Sequence, residues 1–239
     1  MKVIPIKGTI ISNNSKWIYE LFEREATAPK DIVLPETGED VEIHINSGGG
    51  DVYAGSEIYT ALRAYSGRVT VKIVGIAASA ASVIAMAGDM VEISPTAQIM
   101  IHNVSSGVYG DHNALEHEAT VLKGFNKSIA SAYVHKTGKA LPDLLELMNQ
   151  TTWFDAEAAV ENGFADKVMF AQEVAPLLVA SETPMIPQDF IERMQTTMTP
   201  DVDKIAELVA QKLADHESEK TNTENKKAAE PSGFGRFAF

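Results

Sequence analysis

The chain predicts an α/β fold of layered βαβ units, followed by a helical C-terminal extension and a disordered tail. Three observations carry this. "VEIHINS" (41–47) alternates Val41, Ile43 and Ile45 with Glu42, His44 and Asn46, the period of a strand. "GSEIYTALRAY" then lines Ile58, Leu62 and Tyr65 along one helical stripe. "VTVKIVG" (69–75) returns to a β-branched, strand-like run. Strands that alternate with helices in this way form parallel layered sheets.

The remaining elements follow in order. Val3 to Ile11 reads as the first strand, and Ser15 precedes a helix with Trp17, Ile18, Leu21 and Phe22 at helical spacing. The glycines after residue 47 read as a loop. The Ala/Ser segment "GIAASAAS" (75–82), after the strand, reads as a helix, and "MVEIS" and "QIMIHN" as two more strands. Asp111 to Lys136 is a long helix closed by Gly138, and a shorter helix starts near Pro142. "TTWF" is extended, Asp155 caps "AEAAVEN", and "FADKVMF" is a last strand. No internal repeat of 20–50 residues is visible. The composition shifts late in the chain. The expected domains are 1–175, a helical extension over 176–217 whose amphipathic segment carries Val202, Ile205, Leu208, Val209 and Leu213, and a tail over 218–239.

Composition narrows the function. A net charge of −13 argues against a nucleic-acid binder. No cysteine is present, so disulfides, thiolate catalysis and Cys-ligated zinc are excluded. The longest apolar stretch, around residues 73–88, is rich in Ala and Ser and falls short of the ~20 strongly apolar residues of a membrane span. The N-terminus lacks the apolar core of a signal peptide. A soluble, cytoplasmic protein is expected, with no membrane contact and no cofactor. No metal is expected either, because no H-E-x-x-H or comparable spacing occurs.

Three places could carry chemistry. In "INSGGGDVYAG" (45–55), a strand runs into Gly48, Gly49 and Gly50. Glycines let a ligand approach backbone N–H groups closely. No Lys-Ser/Thr follows, so a phosphate loop fails, and an oxyanion or a peptide backbone is the better guest. A turn without ligand is the plain alternative. Ser79 stands between a strand and a helix, where free N–H groups and a positive helix end suit a developing oxyanion. Ser82 is its rival, and simple packing is the competing explanation for both. His102 ends the strand "QIMIH" and could serve a serine as base, with His44 as competitor. His112, His117 and His135 lie on or beside the long helix, where solvation is the default.

Taken together and in order, "INSGGGDVYAGSEIYTAL", "GIAASAASVIAMAGD" and "QIMIHN" resemble the Clp protease proteolytic subunit, with "FDAEAAVENGFADKV" similar to a later family segment. The match covers roughly residues 1–170. The resemblance implies a crotonase-like α/β fold, peptide-bond hydrolysis through an acyl-enzyme and heptamer-like homo-oligomeric rings. It implies Ser79 as nucleophile, His102 as base, the N–H groups of Gly49 and Ala80 as oxyanion donors, and Gly48 and Gly50 in a strand edge that pairs with substrate backbone.

Two positions depart from the family pattern. Gly48 stands where the family usually has proline. Counting back from "AEAAVENG", the family's triad acid falls on Thr151, which lacks the carboxylate that stabilises an imidazolium. Asp155 is close in sequence, but an N-cap role suits it better. A Ser-His dyad, or a triad with Thr151 as a weak third member, is expected. The departure and the C-terminal extension look more like the related head-maturation proteases of tailed phages, which act on capsid or scaffold proteins. Partners would be a protein substrate and either an AAA+ unfoldase or phage capsid and scaffold proteins. Two other readings stay open: an acyl-CoA-handling enzyme of the crotonase fold and a non-catalytic capsid-assembly ring scaffold.

Overall fold

The computed structural model describes residues 1–171; the expected extension over 176–217, the tail over 218–239 and the boundary at 175 lie outside them. Two central strands organise these residues, β3 (Val41–Gly50) and β4 (Val69–Ala78), paired in parallel with Val41 beside Val69 and Ile45 beside Ile73. Their inward side chains, Val41, Ile43, Ile45, Val69, Val71 and Ile73, are all buried. Fully burying each is worth about 1.5–3 kcal/mol, which fixes the register, since a one-residue slip would expose the whole set.

β1 (Lys2–Ile10) adds to β3, and the two-residue β2 (Ala26–Thr27) adds to β1. On the other side β4 is shared. Its first half pairs with β5 (Met90–Ile93) and its last residues with β6 (Gln98–Ile101). β8 (Lys167–Val168) extends β5, and β7 (Thr152–Phe154) pairs with β6 as the antiparallel member of the sheet. The two neighbours of β4 diverge, so β6 ends close to where β4 ends.

Helices α2 (Val52–Arg63) and α3 (Ala80–Ala85) cover the inward face. All six residues of α3 are buried. It packs closely on α2, where a Cβ added at Gly55 would lie 3.0 Å from Ala80 Cβ. Only small side chains admit that approach, and this explains why the sequence thins at "GIAASAAS". Beyond them, α4 (His112–Thr137) runs from an Asp111 cap to a left-handed Gly138, the end its sequence predicts, and α5 (Leu141–Asn149) follows. α6 (Ala156–Glu161) opens on Asp155, whose carboxylate accepts the Ala158 N–H at 2.8 Å.

Three expectations need correction. The Ala/Ser segment is not helical throughout: pairing with β6 carries β4 on to Ala78, and α3 starts only at Ala80. The glycines after Ser47 do not leave the sheet: β3 runs through Gly50, with Gly49 and Gly50 beside Thr9 and Ile10 of β1. Backbone pairing overrides the low strand preference of glycine. The predicted first helix shortens to α1 (Lys16–Leu21), and its apolar residues are not core: Trp17, Leu21 and Phe22 stay mostly exposed.

Candidate active site

The end of β4 delivers Ser79 with an unusual backbone. Its φ is 55° and ψ −125°, a region that residues with a Cβ rarely adopt. Such a sharp strand-to-helix turn lifts a side chain above the sheet edge. Two features hold it. Ser79 N–H donates to the Met100 carbonyl of β6 at 3.0 Å, and Gly49 fills the space beneath. Gly49 has φ +91°, and a Cβ there would sit 2.6–2.9 Å from Ala78 O, Ser79 Cβ and Ala80 N. A side chain at this position would push the turn apart.

β6 carries the chain past Met100 to His102, whose Nε2 lies 2.8 Å from Ser79 Oγ. Both residues are half-buried and line a cavity of about 80 Å³. Its walls include Val52, Val83, Val104, Ile129 and Tyr133. An imidazole at this distance can take the hydroxyl proton as oxygen attacks a carbonyl.

The competing residues are engaged elsewhere. Ser82 is fully buried, donates to the Ser79 carbonyl at 2.6 Å and shares a 2.8 Å hydrogen bond with Tyr133 Oη. His44 pairs with Glu42 at 3.0 Å on the outward face of β3. Asp155 is committed to its cap.

The other expected residues are placed unevenly. Ala80 opens α3, and Ser79 makes no side-chain cap, so the first N–H groups of that helix are left to other acceptors. Gly49 lies against Ser79, but its N–H donates to Ser47 Oγ at 3.1 Å, and Ser47 in turn donates to Gly8 O. A Cβ at Gly48 would meet nothing within 4 Å, so its side accommodates a larger residue. Gly50 lies beside Ile10 and also lines the cavity. Thr151 falls one step beyond the Ile101–Thr152 pair that closes the β6–β7 ladder, in the turn that leads into β7. It is exposed with φ 52°, and among the described residues no side-chain hydrogen bond joins it to His102.

Sequence reasoning missed the cavity walls, Tyr133 above all. The signal was available: Ile129 and Tyr133 are four residues apart, on one face of α4. The described residues hold no cluster of three or more His, Cys, Asp or Glu that could bind a metal. None of their helices is long and apolar enough to cross a membrane.

The family model for Clp protease matches residues 31–172, more than half of the chain and the whole of this site. The chain belongs to the Clp protease family. Membership makes it a serine-type peptidase, and it favours neither the acyl-CoA nor the scaffold reading. Clp protease relatives span comparable stretches. The chain is 29% identical over 132 residues to ATP-dependent Clp protease proteolytic subunit 2 of Tropheryma whipplei, covering 54% of this chain and 73% of the relative. It is 32% identical over 136 residues to the proteolytic subunit of Bacteroides fragilis, 56% of this chain and 66% of that one. The subunit of Pleurastrum terricola is 34% identical over 128 residues, 53% and 65% respectively. Among solved structures, a ClpP1 point mutant from Listeria monocytogenes aligns with a TM-score of 0.58 at 22% identity. That alignment covers 70% of this chain and 90% of the other, and it shows a shared Clp protease fold.

Proposed function

We propose that the chain is a serine endopeptidase in which Ser79 is the nucleophile and His102 the general base. The observation that carries this is the 2.8 Å contact between His102 Nε2 and Ser79 Oγ in the wall of a cavity of mixed polar and apolar lining. Ser79 Oγ bonds to the scissile carbonyl carbon as its proton passes to His102 Nε2. The C–N bond then breaks, and His102 returns the proton to the departing amine. Water, deprotonated by the same imidazole, releases the acyl group and restores Ser79.

The tetrahedral oxyanion is held by the Ala80 N–H and, once released from Ser47 Oγ, by the Gly49 N–H. Substrate lies extended along the strand edge at Gly48 to Gly50. Thr151, next to the end of the β6–β7 ladder, brings no carboxylate to His102, so the site operates as a dyad in which it is at most a weak third member.

The active form is a homo-oligomeric, heptamer-like ring, by analogy with the family. The missing acid and the residues beyond the family match favour a phage prohead maturation protease that acts on capsid or scaffold proteins in the cytoplasm. Purified wild type should hydrolyse an unfolded protein, and Ser79→Ala should not; equal hydrolysis by both would sink the mechanism. Cleavage of a scaffold protein without nucleotide supports the maturation role. Cleavage only with an AAA+ unfoldase and ATP would replace it with a housekeeping one.

A further inference from the structure

A line of hydroxyls runs from the core toward Ser79. Tyr133 Oη on α4 lies 2.8 Å from Ser82 Oγ on α3, and Ser82 Oγ donates to the Ser79 carbonyl at 2.6 Å. Ser82 has one proton and gives it to that carbonyl, so the tyrosine hydroxyl is the donor between the two. Both side chains are buried, at 0% and 1% exposure. Burial also raises the Tyr133 phenol well above its ordinary pKa, so it keeps its proton.

Packing alone does not explain these hydroxyls. Tyr133 stacks edge-on against Phe164 with centroids 5.7 Å apart, a contact that phenylalanine would make equally well. Ser82 sits in a helix otherwise made of Ala, Val and Ile. Two hydroxyls in such a core carry a desolvation cost that apolar residues would avoid. The carbonyl they serve does not need them, because it already accepts the Ser82 N–H at 2.9 Å.

What the chain controls is the 79–80 peptide. Among the described residues no peptide bond is cis. In a planar trans peptide the C=O and N–H point in opposite directions. Fixing the Ser79 carbonyl therefore fixes the aim of the Ala80 N–H. Hydrogen bonds in series also polarise one another, so donation into the carbonyl strengthens the N–H as a donor.

We propose that Tyr133 and Ser82 are positioning residues that aim and polarise the 79–80 peptide, making the Ala80 N–H a stronger oxyanion donor. The inference rests on the reading of Ser79 as nucleophile and Ala80 as donor given above. Neither residue touches the reacting atoms in this role.

The test uses the full chain, a fluorogenic peptide and a peptidyl aldehyde, which forms a tetrahedral adduct on a serine. Tyr133→Phe and Ser82→Ala each delete one oxygen, and urea unfolding checks that both remain folded. Tyr133→Phe should lower kcat about three- to tenfold with KM changed less than about twofold, and aldehyde affinity should fall in parallel. Ser82→Ala should lose at least as much. The double variant should match Ser82→Ala, because Tyr133 acts through Ser82. Unchanged kcat and aldehyde affinity in the folded single variants would overturn the relay, as would losses that multiply in the double variant. Ser79→Ala separates the two levels: if it abolishes hydrolysis while Tyr133→Phe has no effect, only the relay fails. If Ser79→Ala retains hydrolysis, the nucleophile assignment fails, and the relay with it.

Discussion

Ser79 and Gly49 form one unit, since the strained turn at the first exists only where the second has no side chain. Gly49→Ala would place a methyl within 3 Å of Ala78 O, Ser79 Cβ and Ala80 N. It should destabilise the protein by about 1–3 kcal/mol and abolish hydrolysis, measured by urea midpoint and peptide turnover. Gly48→Ala, into open space, is the folding control and should keep the wild-type urea midpoint. Thr151 gives a prediction of the opposite sign. It is a β-branched residue at φ 52°, one step past the Ile101–Thr152 pair next to His102. Aspartate tolerates that backbone better and brings the carboxylate a serine–histidine pair exploits. Thr151→Asp should raise kcat about tenfold or more, with stability unchanged or improved; a fall in kcat in the folded variant would remove Thr151 from the site. From the sequence the serine and the histidine were legible, but the distance between them was not. Nor was the occupation of Ser82 by the Ser79 carbonyl, which depends on a helix turn, and on Tyr133 fifty-one residues away.

At the scale of elements, β3 and β4 were legible over 41–45 and 69–73, where period-2 alternation and burial agree residue by residue. The Gly138 end of α4 and the Asp155 cap of α6 were legible because Gly and Asp act locally there, whereas Asp111, read as the first helical residue, is the N-cap of α4. The glycine segment was not: its place in β3 depends on β1, and that long-range pairing leaves no local mark. The exposure of α1 was hidden for the same reason, since a helical stripe does not reveal whether anything covers it. Asp155→Ala should cost about 1 kcal/mol through lost capping and leave the active-site chemistry intact. The outward face of β3 and β4 carries a charged cluster in which Lys72 Nζ lies 2.7 Å and His44 Nε2 3.0 Å from the Glu42 carboxylate. Lys72, and then His44, hold the Glu42 carboxyl below its ordinary pKa. Its stabilising contribution is therefore complete above the unfolded value of about 4.3 and is lost as pH falls through the folded one. Between pH 6 and pH 3.5 the urea midpoint of wild type should fall more than that of Glu42→Gln; an equal fall would deny the cluster a role.

For the whole molecule, the divergence of β5 and β6 from β4 is what brings residues 49, 79 and 102 to one sheet edge. No single motif encodes this, and only the three in their order point to it. A fluorophosphonate probe followed by peptide mapping tests directly whether a serine at the end of β4 is the nucleophile and His102 activates it. One modified serine, Ser79, is expected, with labelling abolished in Ser79→Ala and slowed by at least about a hundredfold in His102→Ala. Modification at Ser82, or labelling of Ser79 at an undiminished rate without His102, would contradict this mechanism.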